Sequence, residues 1–188
     1  EPKPGQRVRA VPGAGTNVPL WILGSSLYGA QLAAMLGLPF AFASHFAPAD
    51  MMAAIQIYRD SFEPSNQLAE PYVMLGYNVC LANTVEEAQY LRSSSLQSFL
   101  NLRRGNPGQL PPPEKSFGKN LNPQEQAMLA QLSTCSGVGT VETVGKSMTD
   151  FIKRTGADEL MLVSSLFHHE KRLRSYELAA NVREMLSC

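Results

Sequence analysis

The sequence predicts an α/β protein built on a parallel sheet, and three observations carry that expectation. Residues 18–46, VPLWILGSSLYGAQLAAMLGLPFAFASHF, read as strand, tight turn, helix, short turn and second strand, which is one βαβ unit. About four apolar, strand-like runs occur along the chain, each followed by a helical pattern, the alternation of a parallel sheet. Apolar residues make up 44% of the 188 residues and charged ones 17%, enough to fill one core.

Each element has its own signal. Residues 1–17 hold Pro2, Pro4, Gly5, Pro12, Gly13 and Gly15 without periodicity and read as a loop or linker. Residues 19–23 are a short apolar run expected as a buried strand. Gly24, Ser25 and Ser26 break it where a helix must begin. Residues 27–36 are rich in Ala and Leu, Gly37 sits at a C-cap position, and Pro39 ends the helix. Residues 40–43 form the second buried strand. A helix from Pro48 or Asp50 to about Phe62 would bury Met51, Ala54, Ile55 and Tyr58. Residues 72–81 are a strand with Gly76 marking a bulge. Thr84 and Glu87 frame a capping box that opens a helix to about Arg103. Residues 105–122, rich in Pro and Gly, form a surface excursion with no core of its own, expected to be partly disordered. Asn122, Pro123 and Glu125 start a further helix. Residues 138–140 are a short extended piece, 141–154 a helix ended by Gly156, and 160–163 a buried strand. A terminal amphipathic helix over 170–186 carries Leu173, Leu178 and Val182 on one side.

The charge balance narrows the function classes. The formal net charge is zero, so there is no electrostatic footprint for nucleic acid or an anionic membrane. No apolar run approaches the length of a membrane span, and no secretory signal opens the chain. Cys80, Cys135 and Cys188 are odd in number and lack metal-ligand spacing, which fits reduced thiols in a cytoplasm. The expectation is a soluble, cytoplasmic protein with no metal site.

The turn after the first strand carries the chemistry. A helix start has backbone N–H groups without partners and the positive end of the helix dipole, and so binds anions, phosphate in particular. Ser25 and Ser26 add hydroxyls, Gly24 and Gly29 allow close approach, and Tyr28 has a phenol within reach. The same pattern also suits a plain N-cap, with a serine satisfying a helix N–H and no ligand bound.

The stretch WILGSSLYGAQLAAMLGLPFAFASHFAP resembles the bacterial luciferase-like family of flavin-dependent monooxygenases. The likeness continues through IYRDSFEPSNQLAEPYVMLGYNVCLANTVEEAQYL, VGTVETV and DELMLVSSLFHHEKRLRSYELAA, nearly the whole chain from Val18 onward. Family members are TIM barrels about twice this length, and this chain resembles their C-terminal half, about four βα units over residues 18–188. The resemblance implies that Gly24, Ser25, Ser26, Tyr28 and Gly29 help hold the phosphate of FMN. The luciferase α-subunit has an acidic residue where this chain has Ser25. The working face of such barrels lies at the carboxyl ends of the strands. That face would include Ser44 and His45 after the second strand, Asn83 and Thr84 after the third, and His168 and His169 after the last. His45 suits the flavin or substrate pocket, or equally an imidazole hydrogen-bonded at a strand end. His168 and His169 suit the same pocket, or with Glu170 an ordinary helix start. Arg172 and Arg174 fit a solvated helix face, or a contact with phosphate, and Cys80 fits a buried, inert thiol.

The family's reaction uses reduced FMN, supplied by a separate flavin reductase, and O₂, and inserts one oxygen atom into a small organic substrate; deazaflavin replaces FMN in some members of the wider family. A half-barrel leaves unpaired edges near Trp21 and Met161. The expectation is therefore a missing N-terminal half or a homo-oligomer. Two readings compete with catalysis: a non-catalytic flavin- or phosphate-binding protein, and a self-associating fragment.

Overall fold

All strand pairs in the sheet are parallel, and the sheet sets every other feature of the chain. The structure is a computed structural model that describes residues 4–8 and 11–186. Its elements run β1 (Ile22–Gly24), α1 (Leu27–Leu36), β2 (Phe40–Phe42), α2 (Met51–Asp60), β3 (Val73–Leu81), α3 (Val85–Arg103), α4 (Pro123–Ser133), β4 (Ser136–Gly139), α5 (Val141–Thr155), β5 (Glu159–Val163) and α6 (His169–Leu186). The α/β expectation holds, with one strand more than the sequence suggested.

β3 is the central strand. Met74 and Leu75 pair with Ala41 and Phe42 of β2 and also with Glu159 and Leu160 of β5. A strand has only two hydrogen-bonding edges, so β2 and β5 flank β3 on opposite sides. Asn78 pairs with both Ser136 of β4 and Val163 of β5, which puts β4 on the β2 side, continuing past the end of β2. β1 pairs with β2, so β1 and β5 leave the unpaired edges expected near Trp21 and Met161, and β4 is paired on its β3 side alone.

One face of the sheet packs on helices. Val73, Leu75, Tyr77, Val79 and Leu81 alternate along β3 onto that face, where they meet Ala30, Ala33 and Ala34 of α1 and side chains of α2, α5 and α6. Met51, Ala54, Ile55 and Tyr58 are all buried, as the helical spacing predicts. The Tyr58 hydroxyl donates to the Leu38 carbonyl at 2.9 Å and accepts from the Tyr72 N–H at 3.1 Å, tying α2 to the starts of two strands. The other face is open over much of its area. Trp21, Leu23 and Met161 point there and are 38%, 73% and 53% exposed.

That openness corrects two expectations. The first strand begins at Ile22 rather than Pro19 and is not buried, and β5 is only half-buried, because both lie at sheet edges with one uncovered face. Leu173 is also exposed, whereas Leu178 and Val182 enter the core. The third correction concerns Gly76, which sits in unbroken pairing with Met161 and marks no bulge.

The caps follow local chemistry. Gly37 ends α1 in the left-handed conformation (φ 61°). Asn122 and Glu125 form the full reciprocal capping box. At Thr84 only half of the box is present. Its side chain accepts from the Glu87 N–H, while the Glu87 carboxylate pairs with Lys171 of α6 at 2.6 Å. The 105–122 excursion is tethered to α3, through the Glu114 N–H donating to Ser93 Oγ and Gln97 Nε2 donating to the Pro112 carbonyl. Cys80 and Cys135 are buried and free; Cys188 and residues 1–3, 9 and 10 of the expected linker lie outside the described residues.

Candidate functional site

Because the strands are parallel, their carboxyl ends share one edge of the sheet, and the turn at 24–29, the 44–46 loop and the loop after β5 all open there. The Ala43 N–H donates to the Gly24 carbonyl at 2.9 Å, which fixes the first two of these side by side.

Ser26 is the N-cap of α1 in extended conformation, and its side chain makes no capping hydrogen bond. Ser25, Ser26 and Tyr28 are exposed, and no acidic residue lies in the first turn of α1. The helix start therefore keeps its positive end and its hydroxyls open to solvent, the arrangement an anion needs. The Ser26 hydroxyl does not satisfy a helix N–H. Gly24 and Gly29 have a packing reason of their own. A Cβ on Gly29 would lie 3.3 Å from the Gly24 Cα, so the pair seats α1 directly on the end of β1.

Ser44 is fully buried, and its hydroxyl donates to the Gly76 carbonyl at 2.6 Å. It clips β2 to β3 and does not face a cavity. His45 does. Its carbonyl accepts from Asn78 Nδ2 at 2.7 Å, and its imidazole lies over Gly76, where a Cβ would come within 2.0 Å of Nδ1. Glycine is required at 76 by this close approach. His45 Nδ1 is buried against Gly76 and has no hydrogen-bond partner among the described residues.

Burial pushes the His45 pKa below its ordinary 6.5. The folded protein then binds fewer protons than the unfolded chain between the two values. Stability from this group is complete above about pH 6.5 and declines as pH falls through the window below it. Denaturant midpoints at pH 7.5 and 5.5 should show this loss, and His45→Gln should reduce it. An unchanged difference in the variant would mean that another group is responsible.

α3 lies across the same end of the open face. The Arg103 guanidinium stacks on the Phe46 and Phe99 rings at 5.6 and 5.1 Å, and Ala88 and Leu91 pack on Cys80 and Leu166. Burial raises the Cys80 thiol to about 12, and its Sγ donates to the Ala88 carbonyl at 3.2 Å, so it is inert as expected. Beneath α3 is a cavity of about 100 Å³ lined by His45, Asn78, Arg92, Ser95 and Ser165 among others. Arg92 Nη2 donates to Ser133 Oγ and Ser136 Oγ at 3.1 and 3.2 Å. A second cavity, of about 300 Å³ and almost wholly apolar, spreads over the open face from Trp21 to Met161 and shares His45 with the first.

His168 and His169 are brought to the same edge but are exposed. The Phe167 and His168 rings meet edge to face at 5.1 Å, and His169 Nδ1 pairs with Arg172 Nη2 at 2.8 Å rather than with Glu170. Arg174 pairs with Glu177 on the solvated face. Among the described residues no group of His, Cys, Asp and Glu could hold a metal ion. Asn78 and Arg92 went unread in the sequence. Asn78 had a signal, a lone polar residue inside the apolar run YVMLGYNVCL, whereas Arg92 looked like any surface cation of a helix.

These features define a parallel α/β protein with an exposed helix start free of acidic residues and a cavity, both at the carboxyl end of its sheet. The family model for luciferase-like monooxygenases matches residues 2–159, and the chain belongs to that family. The uncharacterized protein YvbT of Bacillus subtilis is 48% identical over 176 residues, 94% of this chain and 52% of the relative. A luciferase-like monooxygenase of Escherichia coli K12 is 46% identical over 183 residues, 97% of this chain and 55% of the relative. The chain thus spans about half the length of the relatives it matches. Among solved structures, apo-MsnO8 superimposes with a TM-score of 0.79 at 30% identity, over 96% of this chain and 55% of that one. The oxygenating constituent of 3,6-diketocamphane monooxygenase of Pseudomonas putida, solved in complex with FMN, shares the fold at 15% identity with a TM-score of 0.52, over 86% of this chain and 48% of that one. Among the described residues no helix is long and apolar enough to cross a membrane.

Proposed function

We propose that this chain is the C-terminal half of a (β/α)₈ monooxygenase that uses reduced FMN, and that it holds the phosphate end of the flavin. The observation that carries the reading is the start of α1. Ser26 caps the helix without spending its hydroxyl, no acid opposes an anion there, and the turn lies at the carboxyl end of a parallel strand. Ser25, Ser26 and Tyr28 would donate hydroxyls to the phosphate, and Gly24 and Gly29 would let the helix start close on it. His45 would border the ring system or the substrate, and His168 and His169 would border the same mouth. A structural neighbour solved with FMN supports the choice of flavin. Bound reduced FMN, replenished by a flavin reductase, supplies the electrons that activate O₂ for transfer to an organic substrate. The residues here bind, orient and exclude water.

An FMN titration followed by quenching of flavin fluorescence tests this. Saturable binding is expected, weakened roughly 5- to 30-fold by Ser26→Ala, the worth of one charge-assisted hydrogen bond of about 1–2 kcal/mol. Equal affinity for the parent and Ser26→Ala would move the phosphate elsewhere. The exposed edges of β1 and β5 favour one other reading, a chain that binds flavin without turnover, or only self-associates, until its open face is covered. Binding without oxygen-dependent turnover in the presence of a closing half would establish that reading.

A further inference from the structure

We propose that the cavity beneath α3 is a subsite for the carboxylate of an organic substrate, received by Arg92, with His45 on the cavity wall. Calling the ligand a substrate rests on the monooxygenase reading; the binding itself does not. Arg92 directs Nη2 to two serine hydroxyls, one from the end of α4 and one from β4. Among the described residues it forms no ion pair, and its Nε and Nη1 have no protein acceptor. A guanidinium fork held by one corner presents its remaining donors in the plane that a carboxylate matches in bidentate fashion.

The His45 side chain lines the same cavity, just past the carboxyl end of β2. The cavity, about 100 Å³, suits a group of a few atoms. Arg92 is the only Lys or Arg on its wall, and no Asp or Glu lines it. One positive charge suits a monoanion better than a phosphate dianion, and the phosphate end of the flavin already has the start of α1. The adjoining apolar surface around Ala43 and Gly76 would take the first carbons of the ligand.

The test uses benzoate, with benzyl alcohol as its uncharged counterpart, added to the whole 188-residue chain without flavin and followed by backbone amide ¹⁵N–¹H signals around the cavity and, in the parent, by the Arg92 Nε signal. Benzoate should shift these signals saturably, benzyl alcohol should not, and Arg92→Gln should weaken benzoate binding about 10- to 100-fold. Arg92→Lys, which keeps the charge and loses the fork, should fall between them and covers the case in which Arg92→Gln fails to fold. Equal responses to the two probes, or no movement of the Arg92 signal, would overturn the proposal and leave Arg92 as a tie between α3 and β4. Because flavin is absent, a failed FMN titration with intact benzoate binding would sink the flavin reading alone.

Discussion

Gly76→Ala should lower the melting temperature by roughly 2–12 °C and remove His45 from the site. The added Cβ would stand 2.0 Å from His45 Nδ1 and 2.9 Å from Cε1, closer than any real contact. The imidazole cannot yield by a small shift. The His45 carbonyl is held by Asn78, and Ser44 is clipped to the carbonyl of Gly76 itself. Overpacking of this kind costs about 1–3 kcal/mol, and each kcal/mol moves the melting point about 2–4 °C in a chain of this size. The decisive control is the double variant Gly76→Ala, His45→Ala, which should recover most of the lost stability. A single variant that melts with the parent would mean that the imidazole does not rest on Gly76.

Covering the open face should have the second large effect. Leu23, Met161 and Trp21 form a solvent-facing apolar surface between two unpaired strand edges, a combination that drives association. Co-expression with the portion of the Escherichia coli relative that lies outside the matched region should convert an associating chain into a defined species by size-exclusion chromatography. FMN affinity should rise at least about a hundredfold, about 2.7 kcal/mol, because a cofactor site normally surrounds most of its ligand and this chain offers one side. Unchanged affinity and unchanged elution would show that the face is not closed by such a half.

The turn at 24–29 was legible because its signals are local. Gly24, Ser25 and Ser26 between an apolar run and an Ala-rich helix specify a strand, a turn and a helix start through neighbours in the chain, and α1 spans the residues its pattern indicates. The helix cap at Gly37 and the capping box at Asn122 follow from the same short-range rules. Gly76 was misread for the opposite reason. A glycine within a strand signals either a bulge or a close approach, and only the arrival of His45 from another strand end distinguishes them. Ser44 likewise looked available until its hydroxyl met the Gly76 carbonyl.

By itself the sequence determined the βα alternation, most of the caps, the buried face of α2, and a family likeness carried by long stretches, because each depends on periodicity or on residues close in the chain. Tertiary structure alone decided which surface stays open, that β4 extends the place of β2 beside β3, and that Arg92, Asn78 and His45 border one cavity. Those facts depend on strand order and on α3 crossing the carboxyl edge. They bring residues 45, 78 and 92 together across intervals that no local pattern encodes.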